Sequence, residues 1–193
     1  MSKLHRAILS SLMVIFTCTL ITGFEKDAEA GEFVLSGSGS IMEYKPAIWL
    51  FGISDADLYS GTTFNFQPEY RFAKWFGLGL DVGFGGLSID EGKAAMTFEA
   101  YLTAKFIAPL ESVDLWLELG TGTFGLIGRI DVHDEDETIN NDFMWSSRAR
   151  IGITFNIAHN VGMGLQFGAE FPYIVMPMWG CSFEAGLHLS YHF

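Results

Sequence analysis

Apolar and polar residues alternate along most of this chain, and the alternation is cleanest at its end. Over residues 183–193 one face carries Phe183, Ala185, Leu187, Leu189, Tyr191 and Phe193. The other carries Glu184, Gly186, His188, Ser190 and His192. A period of two predicts a strand with one apolar and one polar face. The pattern recurs over residues 161–170, 148–157, 115–126, 96–107 and 76–84. Each run is near the ~9–11 residues that a tilted membrane strand needs. Residues 62–72 alternate too but contain Pro68, which lacks an N–H and is expected at a bulge. A first strand falls within residues 33–44, where FVLSGSGSIMEY allows either register.

The connections between these eight segments also alternate. Residues 73–75, 109–114 and 158–160 form short links, and residues 46–60, 85–94, 131–142 and 171–181 form long ones. Short turns on one side and long loops on the other is the layout of an outer-membrane barrel, with both termini on the short-turn side. Closure is required, because an open sheet edge in lipid leaves backbone groups unpaired. The charges decide which face points inward. The apolar face of these strands is essentially uncharged. The polar face carries Glu69, Arg71, Asp81, Glu99, Lys105, Glu118, Arg148, Arg150, Glu170 and Glu184. So many ionisable groups cannot share the dry core of a soluble barrel. The expected fold is an all-β, eight-stranded antiparallel up-and-down transmembrane barrel with a polar inside.

The N-terminus agrees with export. Lys3, His5 and Arg6 precede an apolar run over residues 7–24, and Ala28-Glu29-Ala30 supplies a small-x-small cleavage site. Residues 1–30 are therefore expected to be a signal peptide and residues 31–193 the barrel. Cys181 is the one cysteine of the mature segment, which excludes an intrachain disulfide. The net charge of −12 argues against nucleic acid as a partner, since phosphates call for Lys and Arg.

An alternating last strand with Leu187, Leu189, Tyr191 and a terminal Phe193 resembles the C-terminal signature of bacterial outer-membrane barrels. Together with the architecture, it makes residues 31–193 similar to the small OmpA/OmpX/OmpW-type barrel family. The resemblance implies outer-membrane localisation with periplasmic termini, and a non-enzymatic structural or surface-interaction role. It also implies contact with outer-membrane lipid and lipopolysaccharide, and recognition of the last strand by the barrel assembly machinery. An OmpW-like alternative is a narrow transporter of small hydrophobic molecules, which requires an apolar cavity near Phe124 and Tyr101. A lipid A-modifying enzyme is a further alternative. His188-Leu-Ser190 resembles the His-x-Ser pair of the PagL-type lipid A deacylases, although Gly-x-Ser-x-Gly, His-Glu-x-x-His and CxxC are absent.

Within the barrel the residues themselves suggest a plug. An eight-stranded barrel is about filled by its own side chains. Across short turns, Lys105 is expected beside Glu118 and Arg148 beside Glu170, with Glu184 within reach of Arg148. Arg150 and Glu99 complete the expected interior charge network. Glycines on the same face leave space for inward Trp116 and Tyr101. In the loops, Trp49 and Phe51 with Tyr173, Met176, Met178 and Trp179 form a candidate apolar contact for an extracellular ligand or partner. Asp134, Asp136 and Glu137 form an acidic loop that lacks EF-hand order, a weak candidate for Ca²⁺ or Mg²⁺. No cofactor is expected. The register predicts that Leu165 faces lipid near mid-membrane. Leu165→Arg is expected to cost about 2–4 kcal/mol in a bilayer refolding titration, whereas a one-residue slip would make it nearly silent.

Overall fold

The last strand pairs with the first. Val34 lies opposite His192 and Lys45 opposite Cys181, and this seam closes a single antiparallel barrel in the order β1-β2-β3-β4-β5-β6-β7-β8. The computed structural model describes residues 31–45, 59–90, 93–130, 142–172 and 181–193. The strands are β1 (Glu32–Lys45), β2 (Tyr59–Ala73), β3 (Phe76–Asp90), β4 (Lys93–Pro109), β5 (Val113–Ile130), β6 (Asp142–Ala158), β7 (Val161–Pro172) and β8 (Cys181–His192). The expected signal peptide, the apolar loop residues Trp49, Phe51, Tyr173, Met176, Met178 and Trp179, and the acidic Asp134, Asp136 and Glu137 lie outside the described residues.

Two details differ from the sequence expectation, and a third, the register of the first strand, is settled. The connection expected over residues 85–94 is shorter, because β3 continues to Asp90 and β4 begins at Lys93. Gly85 and Gly86 interrupt the hydropathy pattern but not the ladder, in which they pair with Thr63 and Thr62. Pro68 sits in β2 without a bulge. Phe66 lies opposite Val82 and Glu69 opposite Gly79 in one register, and the β2–β3 ladder is simply interrupted between them. The missing N–H is thus placed where no bond is made. Strand β1 takes the register with Val34, Ser36, Ser40, Met42 and Tyr44 buried inside and Phe33 and Ile41 outside.

The barrel is inside-out relative to a soluble fold. Ile41, Phe64, Met96, Leu102, Leu187 and Phe193 are each at least 60 % exposed, while Glu69, Asp81, Glu99 and Arg150 are at most 2 % exposed. Such a surface is stable only against hydrocarbon. Aromatic rings gather at two heights. Near the short turns, Tyr70, Phe72, Phe76 and Phe106 touch in sequence, and Tyr191, Phe193 and Phe33 do the same at the seam. Toward the long loops, Phe84, Phe98 and Phe143 form a second row. Phe143 lies over Gly125, where an added Cβ would come within 2.6 Å of the ring. Phe98 and Phe106 on β4 are separated by roughly 26 Å along the strand at ~3.3 Å per residue. Tilting brings that near the height of a membrane band with interfacial girdles.

The terminal residue takes part in closure. Phe193 N–H donates to the Phe33 carbonyl at 2.9 Å, and their ring centroids are 5.8 Å apart. Phe193→Ala keeps the backbone bond and removes the ring contacts. It is expected to impair membrane insertion in cells far more than the melting midpoint of the refolded chain; unchanged insertion would show that the ring is not the recognised element.

Candidate functional site

Alternation places the inward side chains of eight strands in one lumen, where they stack in layers from the short-turn mouth to the long-loop end. At the mouth, His192 Nδ1 and Arg71 Nη1 lie 2.8 Å and 3.4 Å from the two carboxylate oxygens of Glu32. With Asp114, Asn156 and His159 these residues line an open depression of about 440 Å³. Deeper in, Arg71 and Lys105 both donate to Glu69, at 2.9 Å and 3.0 Å. The Lys105 ammonium stands 4.7 Å from the centroid of Trp116, and Trp116 donates to Thr154 at 3.0 Å.

Two arginines occupy the centre. Arg148 lies 2.8 Å from Asp81, 3.3 Å from Glu99 and 3.5 Å from Glu118, with its guanidinium 4.2 Å from the Tyr101 ring centroid. Arg150 lies 2.6 Å from Asp81, grips Glu184 through Nε and Nη2, and reaches Glu118 at 3.7 Å. Asn65 donates to Asp81 and Glu99, and Gln67 donates to Glu118. Lys105, 3.8 Å from Glu118, joins this cluster to the layer below. The ion pairs therefore form one connected network from the mouth to mid-barrel. Such pairs are held at low dielectric, where geometry and additional hydrogen bonds decide whether attraction offsets desolvation.

Above the arginines the chemistry changes. Glu170 accepts from Ser146 and Ser182 at 3.2 Å and 3.0 Å. Over it lies an apolar lid of Met42, Tyr44, Leu87 and Phe124, packed against Met144, with Tyr44 and Phe124 stacked at 6.0 Å. Below the arginines, an interior void bordered by Gln67, Lys105, Trp116, Gln166 and His188 measures about 10 Å³, room for roughly one water molecule.

Glycines make the filling possible. An added Cβ at Gly168 would stand 2.5 Å from Glu184 Oε1 and 2.9 Å from Arg150 Cγ. At Gly152 it would enter the Trp116 ring, and at Gly83 it would come 3.2 Å from Glu99. Space beside the large side chains is supplied by the adjacent strand in each case.

Lys105 and Glu118 are Cα partners, as the hairpin predicts. Arg148 and Glu170 are also partners in the register, yet the ion pairs of Arg148 go to Asp81, Glu99 and Glu118. Glu184 is held by Arg150 rather than Arg148, because Gly168 lies between them in the register and leaves the gap open. Sequence reasoning missed the neutral members: Asn65, Gln67, Ser146, Thr154 and Ser182, and the lid residues Met42, Tyr44 and Leu87. Inward parity was the available signal for Asn65, Gln67 and Thr154; Met42 and Tyr44 lie in the strand whose register stayed open, and Ser146, Ser182 and Leu87 lie outside the expected strands. The surface near Phe124 and Tyr101, where the transporter alternative requires an apolar cavity, carries the lid and the Tyr101–Arg148 stack.

No family model and no curated protein matches this chain. Solved structures do match. Neisserial surface protein A superposes with a TM-score of 0.60 at 11% identity, over 83% of this chain and 97% of that one. Ail, the attachment invasion locus protein of Yersinia pestis, crystallised with the heparin analogue sucrose octasulfate, gives 0.58 at 16% identity over 85% and 99%. AlkL, solved by solid-state NMR in DMPC bilayers, gives 0.52 at 12% identity over 88% and 93%. This is the fold of the small outer-membrane β-barrels.

In this outer-membrane barrel fold, the deacylase-like pair does not assemble. His188 Nε2 lies 2.7 Å from Thr154 Oγ1, whereas Ser190 Oγ lies 3.4 Å from His192 Nε2. Both side chains are buried on the lumen side rather than at a lipid-facing cleft. The lumen of the barrel depends instead on its arginines. Arg150→Met leaves Asp81 and Glu184 without their closest cation, and the expected loss is about 3–5 kcal/mol in a urea unfolding titration. Adding Glu184→Gln should restore part of it, a coupling that a double-mutant cycle will read directly. Additive losses would mean that the pair contributes nothing of its own.

Proposed function

We propose that the mature chain is an outer-membrane protein of structural or surface-interaction type, non-enzymatic, with a lumen that is plugged rather than conducting. The observation that carries this reading is the double closure of the lumen, an ion-pair network beneath an apolar lid. An ion crossing it would have to separate Arg148 and Arg150 from four carboxylates and then pass Tyr44 and Phe124. Each step opposes permeation for a different reason, the first electrostatic and the second through lost hydration.

With the lumen closed, interaction with other molecules falls to the loops and the outer wall. The wall fits outer-membrane lipid and lipopolysaccharide, and the exposed last strand fits recognition by the barrel assembly machinery. The likeness to Neisserial surface protein A and to Ail supports a role at the cell surface. The polyanion captured by Ail is a poor guide to the ligand here. A chain of net charge −12 whose loop over residues 131–142 is acidic repels sulfated sugars, and a neutral, apolar or cationic partner suits it better.

Refolded wild-type barrel in planar bilayers is expected to be electrically silent. Replacing Tyr44, Leu87 and Phe124 together by Ala should add brief conductance events, and adding Arg148→Ala should lengthen them. Steady conductance by the wild type would overturn the plugged reading. Uptake of a hydrophobic solute into vesicles by the wild type would establish transport instead.

A further inference from the structure

Below the arginines a short hydrogen-bond chain crosses the lumen and stops at an unpaired atom. Trp116 Nε1–H, which can only donate, gives its hydrogen to Thr154 Oγ1 at 3.0 Å, and Thr154 Oγ1 lies 2.7 Å from His188 Nε2. A hydroxyl has one hydrogen. If His188 Nε2 also donated to Thr154, that hydrogen would have no acceptor among the described residues. With Thr154 donating to Nε2 instead, every group in the chain is used, and His188 is a neutral imidazole with its proton on Nδ1. His188 is only 5 % exposed, yet Nδ1 has no hydrogen-bond partner among the described residues. A buried N–H without an acceptor is costly.

The second observation is the space beside it. His188 borders the void of about 10 Å³ together with Gln67, Gln166 and Lys105. Gln166 Nε2 donates to Ser38 at 3.3 Å and to Ser40 at 3.1 Å, and Gln67 Nε2 donates to Thr103 at 3.2 Å and to Glu118. Both amide nitrogens are thereby spent, and the amide oxygen is what each residue still offers. A residue with an unused donor thus borders the same small void as two residues with unused acceptors.

We propose that this void binds one structural water molecule, which accepts from His188 Nδ1–H and donates to the amide oxygens of Gln67 and Gln166. The lining selects the ligand. It contains no carboxylate, so a metal cation finds no counter-charge there. The charge of Lys105 is already engaged by Glu69 and Glu118, so an anion gains little. A void of this size takes one water and no larger solute, and three polar partners are the usual complement of a buried water. Bound there, the water ties Trp116 on β5, Thr154 on β6 and His188 on β8 to Gln67 on β2 and Gln166 on β7. From Gln166 the connection runs on to Ser38 and Ser40 on β1, so the lumen gains a hydrogen-bonded girdle beneath the ion pairs. This tie rests on the inner wall alone and holds whether or not the lumen conducts.

The test uses the refolded, isotope-labelled mature chain in lipid bilayers. Solid-state NMR should find the His188 ring neutral, with Nδ1 protonated and Nε2 bare. It should also show magnetisation reaching Hδ1 from a water that exchanges with bulk more slowly than surface hydration does. Thr154→Val removes the hydroxyl that donates to Nε2 and should move part of the His188 population to the Nε2–H tautomer. Gln166→Leu should remove most of the water transfer and leave the tautomer unchanged. If either variant does not refold, the two wild-type readings still decide. His188 protonated on Nε2 or on both nitrogens in the wild type would overturn the assignment, as would an Nδ1–H that receives no magnetisation from water. Conductance or silence of the same barrel in planar bilayers alters neither reading.

Discussion

Two guanidinium groups on one strand hold the lumen together. Arg148 and Arg150 are two residues apart on β6, so both point inward, and between them they engage Asp81 from β3, Glu99 from β4, Glu118 from β5 and Glu184 from β8. Each carboxylate comes from a strand that hydrogen bonding alone would place at a fixed distance around the wall. The arginines add a tie across the lumen, which a cylinder of backbone hydrogen bonds lacks. Arginine suits this work because its planar fork of donors serves several carboxylates at once and its charge is never lost.

The rest of the interior follows from making room for that cluster. Large side chains alternate with glycines on neighbouring strands, Trp116 beside Gly152 and Arg150 with Glu184 about Gly168. Asn65 brings an amide donor to the Asp81 oxygen that the arginines leave free and shares Glu99 Oε2 with Arg148, and Gln67 donates to Glu118 Oε2, the oxygen that faces Lys105. Lys105 divides its charge between Glu69 and Glu118 and lies over Trp116, which joins the lower layer to the centre. A buried polar network of this kind is rigid when its members are satisfied and costly where they are not. Among the described residues its buried atoms without a hydrogen-bond partner are Thr97 Oγ1, Glu99 Oε1, the Tyr101 hydroxyl, Arg148 Nε and His188 Nδ1.

Wall and lumen are built on opposite rules, and this divides the molecule's chemistry. The wall has little beyond apolar area and two aromatic girdles, so it fixes depth and orientation in a bilayer. The lumen spends nearly all the charge of the described strands on itself. At the end of the lumen away from the short turns, Tyr44, Met42, Leu87 and Phe124 form an apolar lid. The structural neighbours share the fold at 11–16% identity, so the fold requires few specific residues.

Alternation by itself determined the strand count, the antiparallel order and the face turned to lipid, because a period of two is a property of each strand alone. It also placed Lys105 beside Glu118, since a short hairpin fixes the register of its two strands. Parity named the charges in the lumen but could not pair them. Arg148 sits opposite Glu170 along the wall, yet it reaches over the lumen to Asp81, three strands away on β3. That choice depends on how far the barrel is sheared when β8 meets β1, and on which glycines leave a passage for a long side chain. The lid was hidden for a similar reason: Met42, Leu87 and Phe124 lie on three strands, and nothing local marks them as neighbours. Only closure of the barrel sets the heights at which side chains from different strands meet, and those heights determine the contacts inside.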